Sequence, residues 1–295
     1  MQYSFLMMVT LYLVTMSLQA KEEINLAQND EWARNFMLAN LEFTLLHEFG
    51  HAFIEEFKPP VLGMEEDAAD RFAIIAMMKA REYESAEKTI PWLFSVAGGW
   101  YTEWELKEEV KGKIDYWDNH NLEIQRFHNI VCLIFGSNAD VLEDLMDTEF
   151  LPFERAMTCD YEYKQALHAV NWLQNNYSQK SDKALNTQSV TVVYEQPREG
   201  QNKMVFELLQ NFPVAETWAQ RLSRRFTFLR PIRIEFENCS SVFSAYWHAP
   251  TASVTVCYEL LVHFMQMAEY RRQHSSRACG IPVLRKYMGD SLNCH

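Results

Sequence analysis

Basic charge is scarce in this sequence. Its 295 residues carry 27 Lys and Arg against 40 Asp and Glu, a formal charge of −13. Nucleic acid wants a basic face and an anionic membrane surface attracts polybasic segments, so neither is expected as a partner. CxxC pairs are absent among the six cysteines, which argues against a thiolate zinc site. A long apolar run is lacking too. The stretch from Phe5 to Met16 falls short of the ~20 residues that a membrane-spanning helix needs.

That stretch instead reads as the apolar region of a signal peptide over residues 1–20, closing on Ala20 before a charged Lys-Glu-Glu. No Lys or Arg precedes it, and Leu18 is large for its place before the cut, so an uncleaved anchor is the rival reading. An even set of cysteines in an exported chain points to disulfides. Pairing sequence neighbours gives Cys132–Cys159, Cys239–Cys257 and Cys279–Cys294. Six cysteines allow 15 pairings, and buried free thiols acting as small hydrophobes are the alternative.

The chemistry concentrates between His47 and Asp70, HEFGHAFIEEFKPPVLGMEEDAAD. Residues four apart on an α-helix share a face, so His47 and His51 can direct two imidazoles at one ion. Glu48, one step round, can act on water held there without ligating the metal. Pro59 and Pro60 end that helix, Gly63 lets the chain reverse, and a second helix is expected over residues 64–81. Glu66 on its first turn is the natural third ligand. Asp70, one turn on, is the natural orienter of a ligand histidine. Small Ala69 and Ala73 would let this face press on the first helix. Two histidines, a carboxylate and a water complete a tetrahedral catalytic zinc site with one Zn2+. An acidic first turn also suits the helix dipole, so Glu65, Glu66 and Asp67 have a purely structural reading as well.

HEFGH followed by EEDAADRFA resembles the gluzincin zinc peptidases, in which HExxH is completed by a glutamate in ExxxD. The longer string LLHEFGHAFIEEFKPPVLGMEEDAADRFA is similar to a bacterial family described as putative metallopeptidases, catalogued as a domain of unknown function. The likeness continues in DNHNLEIQRFHNIVCLIFGS (118–137), LPFERAMTCDYEYKQA (151–166) and VTVCYELL (254–261). It implies a zinc-dependent hydrolase of peptides or proteins, with Glu48 as general base for metal-bound water, exported to the bacterial periplasm or beyond. In gluzincins a later helix commonly supplies a His, sometimes with an Arg, that steadies the tetrahedral intermediate. His120 and Arg126 are the candidates here, with Asp118 as an orienting carboxylate. Capping for the Asp-Asn-His-Asn cluster and a structural ion pair for Arg126 are the competing readings. A metal-binding scaffold or peptide-binding protein with little turnover is the alternative function, and Glu48 argues against it.

The first 180 residues look helical: a helix from about Glu31 through the HExxH segment, a helical run over 79–113 with Gly98-Gly99 as a possible break, and another over 151–177. Residues 174–188 are polar and form the best linker candidate. Strands are expected at 190–194, 232–236 and 254–258, with helices over 207–228 and 259–272. The fold class is therefore α+β and mainly helical, and the resemblance implies a zincin-like arrangement. No strand precedes His47, so the C-terminal sheet is expected to pack against the HExxH helix. Region 189–295 would then complete one domain with 21–180. Glu259 and His263, four apart, suggest core or capping roles rather than a second metal site.

Overall fold

The computed structural model describes residues 30–110, 117–178, 189–240 and 242–294. The signal-peptide segment 1–20 and most of the polar stretch 174–188 lie outside them. Everything else is arranged round one helix, α1 (Glu31–Phe57). Its side chains are buried on every side, including Phe36, Leu41, Leu45, Leu46, Phe49 and Phe53, as expected of a helix apolar all round. Asp30 caps its start, accepting from the Ala33 amide at 3.2 Å. Lys58 takes a left-handed conformation (φ 48°) ahead of Pro59 and Pro60, and Gly63 (φ 123°) completes the reversal.

Helix α2 (Glu65–Ala80) then returns along α1. The approach is close because both partners are small at the crossing. A Cβ on Gly50 would stand 2.8 Å from the Ala69 Cα. Gly50 lies between Glu48 and His51, so the tight crossing is what carries the first turn of α2 up to the two histidines. Helices α3 (Ala86–Glu109), α4 (Glu123–Ser137) and α5 (Phe153–Tyr177) complete the helical half. The expected run over 79–113 is interrupted at 81–85, not at Gly98-Gly99. Those glycines sit inside α3, and Gly99 admits the Asn40 side chain of α1, whose Oδ1 would lie 2.3 Å from a Cβ.

The second half builds a four-stranded sheet in the order β1-β2-β4-β3 from β1 (Val190–Tyr194), β2 (Ile232–Glu237), β3 (Ala245–His248) and β4 (Ser253–Cys257). β1, β2 and β4 are parallel; β3 is antiparallel to β4 and forms an edge. The three expected strands are present. β3 is an addition, too short for alternation to announce. The expected helix over 207–228 is two, α6 (Gln201–Asn211) and α7 (Val214–Arg225), divided at Pro213, which has no amide to continue the first. Helix α8 (Tyr258–Gln273) follows β4, then short α9 (Ser276–Cys279) and α10 (Pro282–Met288). The fold is thus mainly helical with a small mixed sheet.

The C-terminal half is pinned to α1 at buried polar contacts. Trp32 Nε1 donates to the Ala268 carbonyl at 3.1 Å, and Arg230 Nε to Glu56 at 2.7 Å. Glu42, 2 % exposed, accepts from Arg81, Trp92 Nε1 and Trp218 Nε1. A carboxylate so deep in a core needs such a ring of donors. The sheet meets α1 through β3, where the Trp247 amide donates to Glu48 at 2.7 Å. All three expected disulfides form: Cys132–Cys159 ties α4 to α5, Cys239–Cys257 ties the β2 exit to β4, and Cys279–Cys294 closes the C-terminal segment. Among the described residues no helix is long and apolar enough to cross a membrane.

Candidate metal centre

Helical spacing places His47 and His51 on one face of α1, and the tight α1–α2 crossing brings Glu66 over them. His47 Nε2 lies 3.2 Å from His51 Nε2 and 3.2 Å from Glu66 Oε2; His51 Nε2 lies 3.4 Å from the same oxygen. A tetrahedral ion with bonds of about 2.0–2.1 Å has ligand–ligand edges of about 3.3–3.4 Å. The three donors already stand at that spacing.

The outer ring nitrogens fix what the inner ones can do. His47 Nδ1 meets Asp70 Oδ1 at 2.7 Å and His51 Nδ1 meets Glu65 Oε1 at 2.7 Å. With each Nδ1–H donated to a carboxylate, both Nε2 lone pairs point inward. Glu66 Oε2 faces them, buried and without an aligned donor. Two lone pairs and an anionic oxygen repel unless something positive lies between them. This orphaned buried oxygen, with its two borderline-soft nitrogen neighbours, fits a divalent ion such as zinc.

In the metal-free protein protons supply that charge. Burial opposes protonation of His47, but the carboxylates of Asp70 and Glu66 beside it outweigh burial and raise the pKa to about 9. His51 is also raised, the nearby Glu66 and Glu65 carboxylates overcoming burial. Glu66, although burial works against its charge, is held well below the usual carboxylate range by His47 and His51. The sign follows directly. A raised histidine stabilises the metal-free fold fully below its unfolded pKa near ~6.5, and that contribution is lost as pH rises through about 9. A cation must displace the same proton. Apparent metal affinity should therefore climb between pH 6.5 and 9 by about tenfold per pH unit for each proton displaced, measured by chelator competition. A flat profile would mean that His47 does not hold the site.

Behind His47 stands a buried support. Arg126 donates to both Asp70 oxygens, Nε to Oδ2 at 2.8 Å and Nη2 to Oδ1 at 2.5 Å. Its guanidinium stacks on Trp100 at 3.5 Å. Asp70 is held below its usual range by Arg126 and His47 against the cost of burial. Arg126 is thus spent on Asp70, the structural ion pair that was its competing reading, and does not stand free to meet an oxyanion.

His120 arrives from the segment before α4. Its Nδ1 meets Asp118 at 2.9 Å, and its Nε2 lies 3.1 Å from Glu66 Oε2 at the exposed rim. Asn119 Nδ2 donates to the other Glu66 oxygen at 3.3 Å. Glu48 lies beside the triad but outside it. Burial raises its pKa, and Oε2 accepts the Trp247 amide. A cleft of about 340 Å³ opens over these groups, bordered by His47, Glu48, Trp100, His120 and Ala245.

Glu259 and His263, the remaining pair four apart, fall elsewhere, as does His128. His128 packs with its Nδ1 near the Phe150 carbonyl. Glu259 accepts the Cys239 and Ser240 amides and so anchors the loop after β2, while His263 pairs with Glu103 at 2.5 Å. Two participants went unread in the sequence. Glu65 passed as dipole compensation, although its place beside Glu66 in the ExxxD turn was the available signal. The Trp247 amide has no sequence signature, since every non-proline residue carries one.

Among the described residues, the metal-competent cluster is His47, His51 and Glu66, with donor atoms within 4.8 Å of one another. No curated protein and no solved structure matches the chain. The family described as "putative metallopeptidase" does, over residues 6–174 and 194–288. That match takes in the histidine pair, the Glu66 helix, His120 and β3, and on its extent the chain belongs to this metallopeptidase family.

Proposed function

We propose that the chain is an exported zinc-dependent peptidase of the gluzincin type. The observation that carries this reading is the triangle of His47, His51 and Glu66 donors at tetrahedral spacing with the Glu48 carboxylate beside it. Zinc bound there would lower the pKa of water towards ~7 and polarise a carbonyl.

The chain's own groups do the rest. Glu48 has one oxygen fixed by the Trp247 amide, leaving the other to take a proton from the attacking water and return it to the departing amine. The same contact bears on substrate. Cys257 N–H donates to the Ser244 carbonyl, so along β3 alternate residues, Ala245 and Trp247, turn their backbone groups to the free edge. An extended peptide can add to that edge as a further strand, crossing Glu48 as it does so. His120, with Nδ1 held by Asp118, is the donor we assign to the developing oxyanion. Asp70 and Arg126 are positioning residues that act through His47.

Export is supported by the three disulfides, which persist in oxidising compartments such as the periplasm or the extracellular space. The buried contacts of Glu42, Trp32 and Glu56 support residues 21–180 and 189–295 as one cooperative unit. A peptide library exposed to purified protein tests the activity. Cleavage that a chelator stops and zinc restores is the expected result. Zinc binding without cleavage would favour a non-catalytic scaffold.

A further inference from the structure

The inner end of the cleft differs from its mouth. Asn40, two turns before His47 on α1, borders the cleft although only 4 % exposed. Its amide nitrogen donates to the Phe36 carbonyl at 2.9 Å and the Ser95 carbonyl at 3.1 Å. Those two acceptors fix the orientation of the amide. Oδ1 is left without a donor among the described residues, over Gly99, where a Cβ would block it at 2.3 Å. Glu103, one turn along α3 from Gly99, borders the same space. Its Oε1 engages His263, and its Oε2 has no donor among the described residues. Phe43, Leu260, Phe264 and Met267 supply apolar wall. The cations bordering the cleft are already paired, Lys107 with Glu123 and Arg126 with Asp70.

The recess therefore sets two unpaired acceptors among apolar side chains, and the Lys and Arg that border the cleft are already engaged. An acceptor that a substrate desolvates without pairing is costly, and a site built to hydrogen-bond a donor rejects a substrate lacking one. We propose that this recess is the subsite for a residue flanking the cleaved bond, and that it selects lysine or arginine. The methylenes of such a side chain lie along the apolar walls, and its cationic head sits between Asn40 Oδ1 and Glu103. Leucine fills the walls but leaves Asn40 unpaired; glutamate brings its charge against Glu103.

This inference rests on the peptidase reading, so its test uses binding. Zinc-loaded Glu48→Gln protein is titrated with acetylated, amidated hexapeptides that differ only at one of the two central positions, followed by calorimetry. Lysine or arginine at one position should bind about tenfold or more tighter than leucine, with glutamate weakest. Adding Glu103→Gln should reduce the lysine-to-leucine ratio about fivefold or more and leave the leucine peptide unchanged. Equal or tighter binding of leucine, a lysine preference that survives Glu103→Gln, or no binding by any peptide overturns the proposal. Library cleavage by wild type separates the two readings. Cleavage with another preference removes this inference alone, whereas lysine-selective binding without cleavage removes the peptidase reading and leaves the recess.

Discussion

Glu48→Gln should retain one zinc per chain and lose about 10²–10⁴-fold in kcat/KM, the contribution of a well-placed general base. The substitution keeps the shape of the side chain and an oxygen for the Trp247 amide, so the edge of β3 stays where it is. What disappears is the capacity to hold a proton. Glu48 is buried and stands apart from the His47, His51 and Glu66 triangle, so metal affinity should be nearly unaffected. The split is what makes the variant informative. A residue that merely supported the fold would lower metal content, stability and turnover together. Metal content by elemental analysis, melting temperature and cleavage rate on one preparation distinguish the two cases.

Asp70→Ala should be the most damaging single change to the scaffold of the site. Asp70 accepts from His47 and from both forks of Arg126, and Arg126 is itself 7 % exposed. Removing the carboxylate leaves a buried guanidinium unpaired, which costs about 3–5 kcal/mol in such settings. It also frees the tautomer and tilt of His47, and loss of a support behind a ligand histidine typically weakens metal binding by about 10–100-fold. The double variant Asp70→Ala with Arg126→Met separates these effects. Stability should largely return because no buried charge is stranded, while the metal affinity stays low. Chemical denaturation and chelator competition read the two quantities independently. Recovery of both in the double variant would mean that Asp70 serves only Arg126.

The site was legible in the sequence where chemistry and helical period coincide. His47 and His51 are separated by one turn. Glu66 and Asp70 repeat that spacing on a helix whose start is marked by Pro59, Pro60 and Gly63, and the small Ala69 and Ala73 mark the face that presses on the first helix. The rest depends on contacts between segments remote in the chain. Arg126 reaches Asp70 from α4, and its engagement there depends on where α4 lies, which periodicity does not specify. The Trp247 amide meets Glu48 because β3 occupies the edge of the sheet, and a strand of four residues (Ala245–His248) is too short for alternation to identify. The division of the 207–228 stretch at Pro213 was, by contrast, available from proline chemistry alone. The resemblance to zincins implied a sheet beside the HExxH helix, and the absence of any expected strand before His47 placed that sheet in the C-terminal part, although the particular strand that meets the helix was not inferable.

The central claim is that two imidazoles from α1 and a carboxylate from α2 hold one ion. Metal-to-protein ratio, measured by inductively coupled plasma mass spectrometry after zinc loading and gel filtration, addresses it directly when wild type is compared with Glu66→Ala. One zinc per wild-type chain and close to none in the variant, with both proteins folded, is the predicted result. An undiminished ratio in folded Glu66→Ala, or no bound metal in wild type, would contradict it.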